Sequence, residues 1–208
     1  MSSNGKLVLA ITVWGMVVAG AFWHYDVSYM RPVAPQAGAI AAHPGLASPP
    51  PVATLISTDG PVSVAVPGAV TVINFWNPHC ICSQDNEPVV RGLVGEFAPQ
   101  KVRWITIAEY RKGKGADAVQ AFYRRHLPAM PVVEDHGGNL ARKFGVYATP
   151  GAVIVNRRGS VVYTGGYNAA RFCHSLPTAW VRQALQSVCA GELPPHPTTP
   201  FYGCRVPQ

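Results

Sequence analysis

Acidic residues are scarce in this chain of 208 residues, which has 10 Asp and Glu against 17 Lys and Arg. The formal net charge of +7 is compatible with nucleic-acid binding, but the basic residues are dispersed along the chain. No basic face interleaved with aromatic residues and no known nucleic-acid motif is present. The one tight basic group, residues 111–114, is typical of a solvated loop. The composition therefore predicts no nucleic-acid partner.

Glycine-rich nucleotide-binding motifs and internal repeats are also absent. Without such a motif, no organic cofactor is predicted. Cysteine is scarce, with five residues in the whole chain, so each one is a candidate for a specific role. Hydrophobic residues make up 48% of the chain, which is ample for the core of one domain of ordinary size.

One apolar run, residues 7–23, is long enough to cross a bilayer, since about 17–25 residues suffice. The bulky Phe22 and Trp23 follow the small residues that a cleavage site would need, so the run is interpreted as an uncleaved anchor. The positive-inside rule then predicts a cytoplasmic N-terminus at residues 1–6 and a transmembrane anchor at residues 7–25. The rest of the chain would face the periplasm, in a single-pass protein of the bacterial inner membrane.

Proline is concentrated in two segments that flank the middle of the chain. Residues 31–61 carry seven of the 20 prolines, and residues 194–207 carry five. Such stretches favour a semi-extended chain over a packed core. The predicted organisation is a linker at residues 26–58, a domain at residues 59–192 and a Pro-rich tail at residues 193–208.

The central region alternates apolar β-type runs with helical patterns. A continuous β-branched run at residues 70–76 is typical of a strand buried on both faces. The order of the elements predicts an α/β fold, with a mixed central sheet and helices on both faces. The predicted strands are residues 62–66, 70–76, 102–108, 152–155 and 161–163, and the predicted helices are residues 83–97, 116–126, 139–144 and 178–189. Residues 134–136 are interpreted as a turn, in preference to a metal or acid–base site.

Two cysteines lie one residue apart where the run at residues 70–76 gives way to a helix. Cys80 would stand at the helix N-terminus, whose unpaired N–H groups favour a thiolate. A protonated His79 would add to the same effect. The position of Cys80 and the nearby Cys82 therefore favour a reactive thiol site over inert buried cysteines.

Several motifs around this junction resemble the active-site segments of the thioredoxin superfamily. The matching residues are Phe75 and Trp76, Cys80, the in-helix Pro88, and the loop Ala148-Thr149-Pro150. The flanking helix and hairpin are similar to the extracytoplasmic TlpA- and ResA-type branch, and the resemblance covers about residues 60–190. It implies a thioredoxin-like fold with a cis-Pro150 loop facing the cysteines.

The resemblance implies thiol–disulfide exchange with the cysteines of protein substrates, with electrons from an unidentified membrane or periplasmic donor. Ser83 stands where the family has its resolving cysteine, so Cys80 is expected to attack and Cys82 to resolve. A disulfide between positions two apart would be strained and therefore labile, which predicts an oxidant- or isomerase-like site. The other expected roles are tuning of acidity by His79 and Ser83, and substrate binding by Trp76, Thr149 and Pro150.

The remaining cysteines are assigned from their surroundings. Cys189 and Cys204 are separated by a short loop, so a structural disulfide between them is favoured, stapling the tail to the domain. Cys173 follows a Gly-containing loop, and it is a third redox thiol that resolves a mixed disulfide at Cys80, a partner of Cys189, or a buried residue without such a role.

Two further interpretations stay open. Cys80 and Cys82, with Cys173 and His174 brought near by folding, would form a soft-metal site for Cu(I) or Zn in a delivery protein. Copper chaperones with the thioredoxin-like fold carry Cys-x-x-x-Cys, which is absent here, so the favoured interpretation includes no metal. The other alternative is a redox-inactive domain that presents a binding surface.

Overall fold

An apolar helix dominates the N-terminal unit, Met1–Arg31. Helix α1 (Ser3–Tyr25) continues into a five-residue π-helix (Asp26–Met30). The 25 residues of Asn4–Ser28 are long and apolar enough to cross a membrane. The prediction of an N-terminal apolar helix is confirmed, and its insertion in a membrane stays a prediction. The structure is a computed structural model that describes residues 3–35, 48–110 and 130–207.

The second unit, Pro32–Gln208, is built on a mixed sheet of five strands. The strands of this unit are β1 (Thr54–Ser57), β2 (Gly60–Ser63), β3 (Thr71–Trp76), β4 (Arg103–Tyr110), β5 (Val132–His136), β6 (Ala148–Thr149), β7 (Gly151–Val155), β8 (Val161–Gly165) and β9 (Cys204–Arg205). In the central sheet the order is β5-β4-β3-β7-β8. β3 pairs in parallel with β4 and antiparallel with β7. The mixed sheet predicted from the sequence is confirmed.

Core clusters cover both faces of this sheet, because alternate residues of a strand point to opposite sides. Val72 and Trp76 of β3 belong to one cluster, whereas Ile73 and Phe75 belong to the other. The helices of this unit are α2 (Ile81–Asp85), α3 (Glu87–Glu96), α4 (Asn139–Lys143) and α5 (Trp180–Ala190). Side chains of α3 and α5 enter the first cluster, and Ala141 of α4 enters the second. Helices on both faces are therefore confirmed.

The helix predicted over residues 83–97 is divided in two. α2 and α3 meet at Asn86, and Pro88 lies in the first turn of α3. Proline is favoured there because the N–H group that it lacks has no acceptor in the first turn of a helix. The division leaves a short helix, α2, that carries Cys82 and follows Cys80 directly.

The interpretation of residues 134–136 as a turn is wrong, because they end the strand β5. β5 pairs in parallel with β4, a tertiary contact that local residue types did not indicate. The carboxylate of Asp135 accepts hydrogen bonds from the N–H groups of Leu140 and Ala141, both at 2.9 Å, so it caps the start of α4. The predicted helix at residues 116–126 and the basic group at residues 111–114 lie outside the described residues.

The Pro-rich tail is packed on the domain, which corrects the expectation of a segment without a core. Phe201 is 1% exposed and Val206 is 4% exposed. Between them β9 pairs antiparallel with β6, with Cys204 opposite Thr149. The tail folds because its two large apolar side chains reach the core, and because β9 itself contains no proline and supplies backbone N–H groups.

Candidate active site

Cys80 lies at the junction between β3 and α2. Its backbone is extended, with φ −95° and ψ 113°, and it caps the helix. The Cys80 carbonyl accepts hydrogen bonds from the N–H groups of Ser83 at 2.9 Å and Gln84 at 3.1 Å. The Cys80 side chain therefore projects from the N-terminal end of the helix, where unpaired N–H groups favour a thiolate.

Asn77 holds the turn that leads to Cys80. Its side-chain oxygen accepts a hydrogen bond from the His79 N–H at 2.7 Å, and its amide nitrogen donates to the buried carboxylate of Glu109. The Asn77 backbone N–H donates to the hydroxyl of Ser83 at 3.3 Å. Ser83, fully buried, thus braces the turn, while His79 is exposed beside Cys80. Tuning of thiol acidity by His79 and Ser83 stays a prediction.

Cys80 forms a disulfide with Cys204 of β9, with a Cα–Cα distance of 6.0 Å. The prediction of a Cys189–Cys204 disulfide is wrong, since Cys189 is a free thiol. The expected Cys80–Cys82 bond is not formed either, so the argument from strain in that bond no longer applies. The physical reason is the antiparallel pairing of β9 with β6, which brings position 204 to the N-terminal end of α2.

Cys82 is a free thiol buried beside this disulfide. The sulfur atoms of Cys80, Cys82 and Cys204 all lie within 4.8 Å of one another. Cys82 is 4% exposed. Burial raises the pKa of the Cys82 thiol, the Asp85 carboxylate raises it further, and the Arg171 guanidinium opposes the rise. Cys82 is therefore a protonated thiol at neutral pH, close to both sulfurs of the disulfide.

The Thr149-Pro150 loop lies against Cys80. The peptide bond between these two residues is cis, and the Cys80 sulfur is 3.4 Å from the Thr149 carbonyl oxygen. Both residues are buried, and the backbone of Thr149 pairs with Cys204. The loop that was predicted to hold a substrate chain is thus occupied by the protein's own tail.

The ring of Trp76, a residue predicted to bind substrate, is buried in this structure. It is 1% exposed and belongs to the core cluster that contains α3 and α5. The ring is covered in this structure, and the expected substrate-binding role of Trp76 stays a prediction. Trp76 instead supports the site from the core, because it ends the strand from which the Cys80 turn begins.

Cys173 and His174 lie outside the cluster formed by Cys80, Cys82 and Cys204. Cys173 lines a cleft together with Cys82, Pro150 and Arg171. The His174 ring nitrogen lies 2.7 Å from the Asp85 carboxylate. Within the part of the chain that the structure describes, the cluster of possible metal-binding side chains consists of Cys80, Cys82 and Cys204. The set that included Cys173 and His174 is therefore not assembled, and a redox role of Cys173 stays a prediction.

Sequence reasoning missed Glu109 at this site and gave Cys204 the wrong disulfide partner. Glu109 is 2% exposed and contacts Asn77 through a hydrogen bond. The sequence did contain a signal for Glu109, which follows the apolar part of β4. β4 is a parallel neighbour of β3, and parallel strands end at the same edge of a sheet, so Glu109 is expected near the residues that follow β3. For Cys204 the aromatic Phe201 and Tyr202 were the available signal, since aromatic residues in a tail indicate packing.

The fold and the cysteine site define a thioredoxin-like protein. The structure is similar to that of a conserved protein from Geobacillus kaustophilus, with a TM-score of 0.68, 21% identity, and coverage of 79% of this chain and 93% of that one. It is also similar to the structure of the hypothetical protein SMc02350 from Sinorhizobium meliloti 1021, with a TM-score of 0.66, 19% identity, and coverage of 77% and 93%. These likenesses concern the fold.

Residues 53–207 match the DUF6436 family, described as a domain of unknown function, and the chain belongs to that family. It is also similar to the thiol-disulfide oxidoreductase ResA of Halalkalibacterium halodurans, at 29% identity over 101 residues, which are 48% of this chain and 56% of the relative. The thiol:disulfide interchange protein CycY of Rhizobium leguminosarum bv. viciae is 22% identical over 156 residues, which are 75% of this chain and 81% of CycY. The match to ResA thus spans little more than half of that relative.

Proposed function

We propose that the protein is a membrane-anchored thiol–disulfide oxidoreductase that exchanges disulfides with protein cysteines outside the cytoplasm. The observation that carries this proposal is the disulfide between Cys80, at the start of α2, and Cys204, on the strand that pairs with Thr149. The names of the similar proteins, a thiol-disulfide oxidoreductase (ResA) and a thiol:disulfide interchange protein (CycY), support the same class of reaction.

In the proposed reaction Cys80 is the attacking thiol. Its thiolate attacks one sulfur of a substrate disulfide, the other substrate sulfur leaves and takes up a proton, and a mixed disulfide forms at Cys80. Cys204 then attacks the Cys80 sulfur, the second substrate thiol leaves, and the Cys80–Cys204 bond is restored. A dithiol donor returns two electrons and two protons to this bond, and the same steps in reverse oxidise a substrate dithiol.

Cys204 takes the resolving role that the sequence assigned to Cys82. The direct bond between Cys80 and Cys204 supports this choice, because the resolving thiol must reach the attacking sulfur. Cys80 is 2% exposed, so a protein substrate reaches it only when β9 moves away from β6. The tail is therefore both the source of the resolving thiol and the cover of the site.

Membrane anchoring and periplasmic location are part of the proposal. The apolar helix α1 supports a single-pass anchor. The linker predicted over residues 26–58 does not hold throughout, because Val33 and Leu55 are buried in the domain core and Thr54–Ser57 form β1. With the N-terminus in the cytoplasm, the cysteines lie in a compartment where disulfides persist.

The test follows the cysteines of the full chain in detergent after reduction and addition of oxidised glutathione. Acid-quenched samples are alkylated, digested and analysed by mass spectrometry. The wild type should form the Cys80–Cys204 disulfide, whereas Cys204→Ser should accumulate glutathione on Cys80. Cys189→Ser is the matched control and should behave as the wild type, because Cys189 is a free thiol at the end of α5.

Two results would contradict the proposal. If Cys204→Ser resolves the adduct as a Cys80–Cys82 disulfide at the wild-type rate, Cys204 is not the resolving thiol. If Cys80→Ser exchanges thiols at the wild-type rate, Cys80 does not attack, and the domain is better described as a binding module.

A further inference from the structure

Disulfide exchange uses two thiols, yet three sulfur atoms converge at this site. Cys80, Cys82 and Cys204 lie within 4.8 Å of one another, and Cys82 takes no part in the proposed exchange. Cys82 is also buried and forms no disulfide. When all three are reduced, this arrangement would place three sulfur ligands at one point.

Reduction would leave the three thiols near one another, because separate contacts hold the elements that carry them. Cys80 and Cys82 are one residue apart at the start of α2. Cys204 is kept in place by the pairing of β9 with β6 and by the buried side chains of Phe201 and Val206 on either side. The Val206 N–H also donates a hydrogen bond to the Tyr147 carbonyl at 3.0 Å. None of these contacts involves the sulfur–sulfur bond.

The spacing of the sulfur atoms suits a single metal ion. Three thiolates at about 2.3 Å from one ion in a plane would lie about 4 Å apart. In the oxidised form the Cys80 and Cys204 sulfurs are bonded to each other, and the Cys82 sulfur lies within 4.8 Å of both. Once that bond is reduced, side-chain rotations that separate these two sulfurs to about 4 Å would complete the geometry. Thiolates are soft ligands that select Cu(I) and zinc.

The number of ligands favours Cu(I). Structural zinc sites are almost always tetrahedral with four protein ligands. Among the described residues, no fourth His, Cys, Asp or Glu belongs to the group formed by Cys80, Cys82 and Cys204. A trigonal set of three sulfur ligands is therefore better matched to Cu(I), the softer ion.

We propose that the reduced protein binds one Cu(I) ion through the thiolates of Cys80, Cys82 and Cys204. Binding displaces the thiol protons to solvent and leaves copper in its reduced state. Formation of the Cys80–Cys204 disulfide removes two electrons and two of the three ligands, so an oxidant of the disulfide class releases the ion. The site differs from the sequence-based metal alternative because Cys204 replaces Cys173 and His174. It does not depend on exchange with a protein substrate.

The experiment uses the full chain in detergent, reduced with a dithiol, desalted without oxygen and titrated with Cu(I) against a chromophoric Cu(I) chelator. The reduced wild type should bind one equivalent, and the oxidised form should bind none. Cys80→Ser, Cys82→Ser and Cys204→Ser should each weaken binding at least tenfold. Cys189→Ser is the matched control and should bind as the wild type. Copper-edge X-ray absorption should count three sulfur neighbours.

Folding of the key variant is checked independently. Cys82→Ser should still form the Cys80–Cys204 disulfide when oxidised, which shows that its tail is seated. Three results would overturn the proposal. The Cu(I) affinity of a Cys82→Ser protein with a seated tail could equal that of the wild type, the copper could have two sulfur neighbours, or zinc could bind more tightly than Cu(I) in competition. The copper proposal is tested by Cys82→Ser, and the proposed disulfide exchange is tested by glutathione trapping in Cys204→Ser. Failure of one proposal is therefore distinguishable from failure of the other.

Discussion

At the scale of single residues, Cys80 and Cys82 differ in the bonding state of their sulfur atoms, although only one residue separates them. Cys80 caps α2 and is bonded to Cys204, whereas Cys82 lies inside the first turn and keeps a free thiol. Burial and the Asp85 carboxylate raise the pKa of Cys82 against the opposing charge of Arg171. The motif is therefore one cysteine held in a disulfide followed by one whose thiol is protonated at neutral pH.

The raised pKa of Cys82 predicts a specific pH dependence of its alkylation in the oxidised protein. The reactive thiolate should appear only as the pH rises above about 8.5, the value of an ordinary cysteine. The apparent pKa is measured from iodoacetamide rates between pH 7 and pH 10, with Cys82 identified by mass spectrometry. Arg171→Gln should move it further up, since the opposing positive charge is lost. A midpoint below that of free cysteine would contradict the burial argument.

The same shift gives the sign of a stability effect. A thiol whose pKa is higher in the folded state keeps its proton to a higher pH than it does in the unfolded chain. Its contribution to stability is therefore complete below the unfolded pKa and is lost as the pH rises through the folded pKa. Alkaline conditions above about pH 8.5 thus weaken the fold around Cys82.

At the scale of elements, the decisive feature is the pairing of β9 with β6. The strand contains only Cys204 and Arg205, but it closes the site over the Thr149-Pro150 loop. Gly203 permits this approach, because a Cβ atom at that position would collide with the Thr149 carbonyl oxygen. The tail thus occupies the edge of β6 in the way that a peptide adds to an open strand.

Gly203→Ala should unseat the tail. The added methyl group forces β9 away from β6, so the Cys80–Cys204 disulfide forms less readily and Cys80 becomes more accessible. In glutathione buffers the equilibrium constant for this disulfide should fall at least tenfold, and the reduced protein should be alkylated faster at Cys80. Gly95→Ala is the matched control, since a Cβ at Gly95 meets no atom within 4 Å. If the equilibrium constant for the Cys80–Cys204 disulfide is the same in the two variants, the close approach of Gly203 to Thr149 is not required for seating of the tail.

At the scale of the whole molecule, the chain combines an apolar helix with a thioredoxin-like domain. The exposed side chains of α1 are large and apolar, as in Leu7, Trp14 and Phe22. In water such a surface is unfavourable, and a bilayer removes that cost. The proposed anchor therefore accounts for the composition of α1.

Two charges in α1 should release the protein from membranes. The variant Val13→Asp/Val17→Asp places carboxylates near the centre of the helix, each costing about 2.5–3.5 kcal/mol on insertion. After alkaline carbonate treatment of cell membranes, the wild type and the matched Val13→Leu/Val17→Leu variant should stay in the pellet. The charged variant should appear in the supernatant. A wild type found in the supernatant would contradict the anchor.

Much of the fold was predictable because its signals are local. The run of β3 and the helical spacing of α5 depend on neighbouring residues, and both were placed correctly. The cis-Pro150 loop was expected from the resemblance to the thioredoxin superfamily, and the cis bond is present. β5 was missed because its residues 134–136 are polar and become a strand only through pairing with β4. The Pro-rich tail was misjudged because composition does not show where Phe201 packs.

The sequence by itself determined the thioredoxin-like scaffold, the apolar N-terminal helix and the placement of Cys80 at a strand–helix junction. Only the tertiary structure decided which cysteine Cys80 meets. A disulfide requires two Cα atoms within about 7 Å, and no local pattern reports that distance for residues far apart in sequence. Cys204 lies 124 residues from Cys80, and the pairing of β9 with β6 brings their Cα atoms to 6.0 Å.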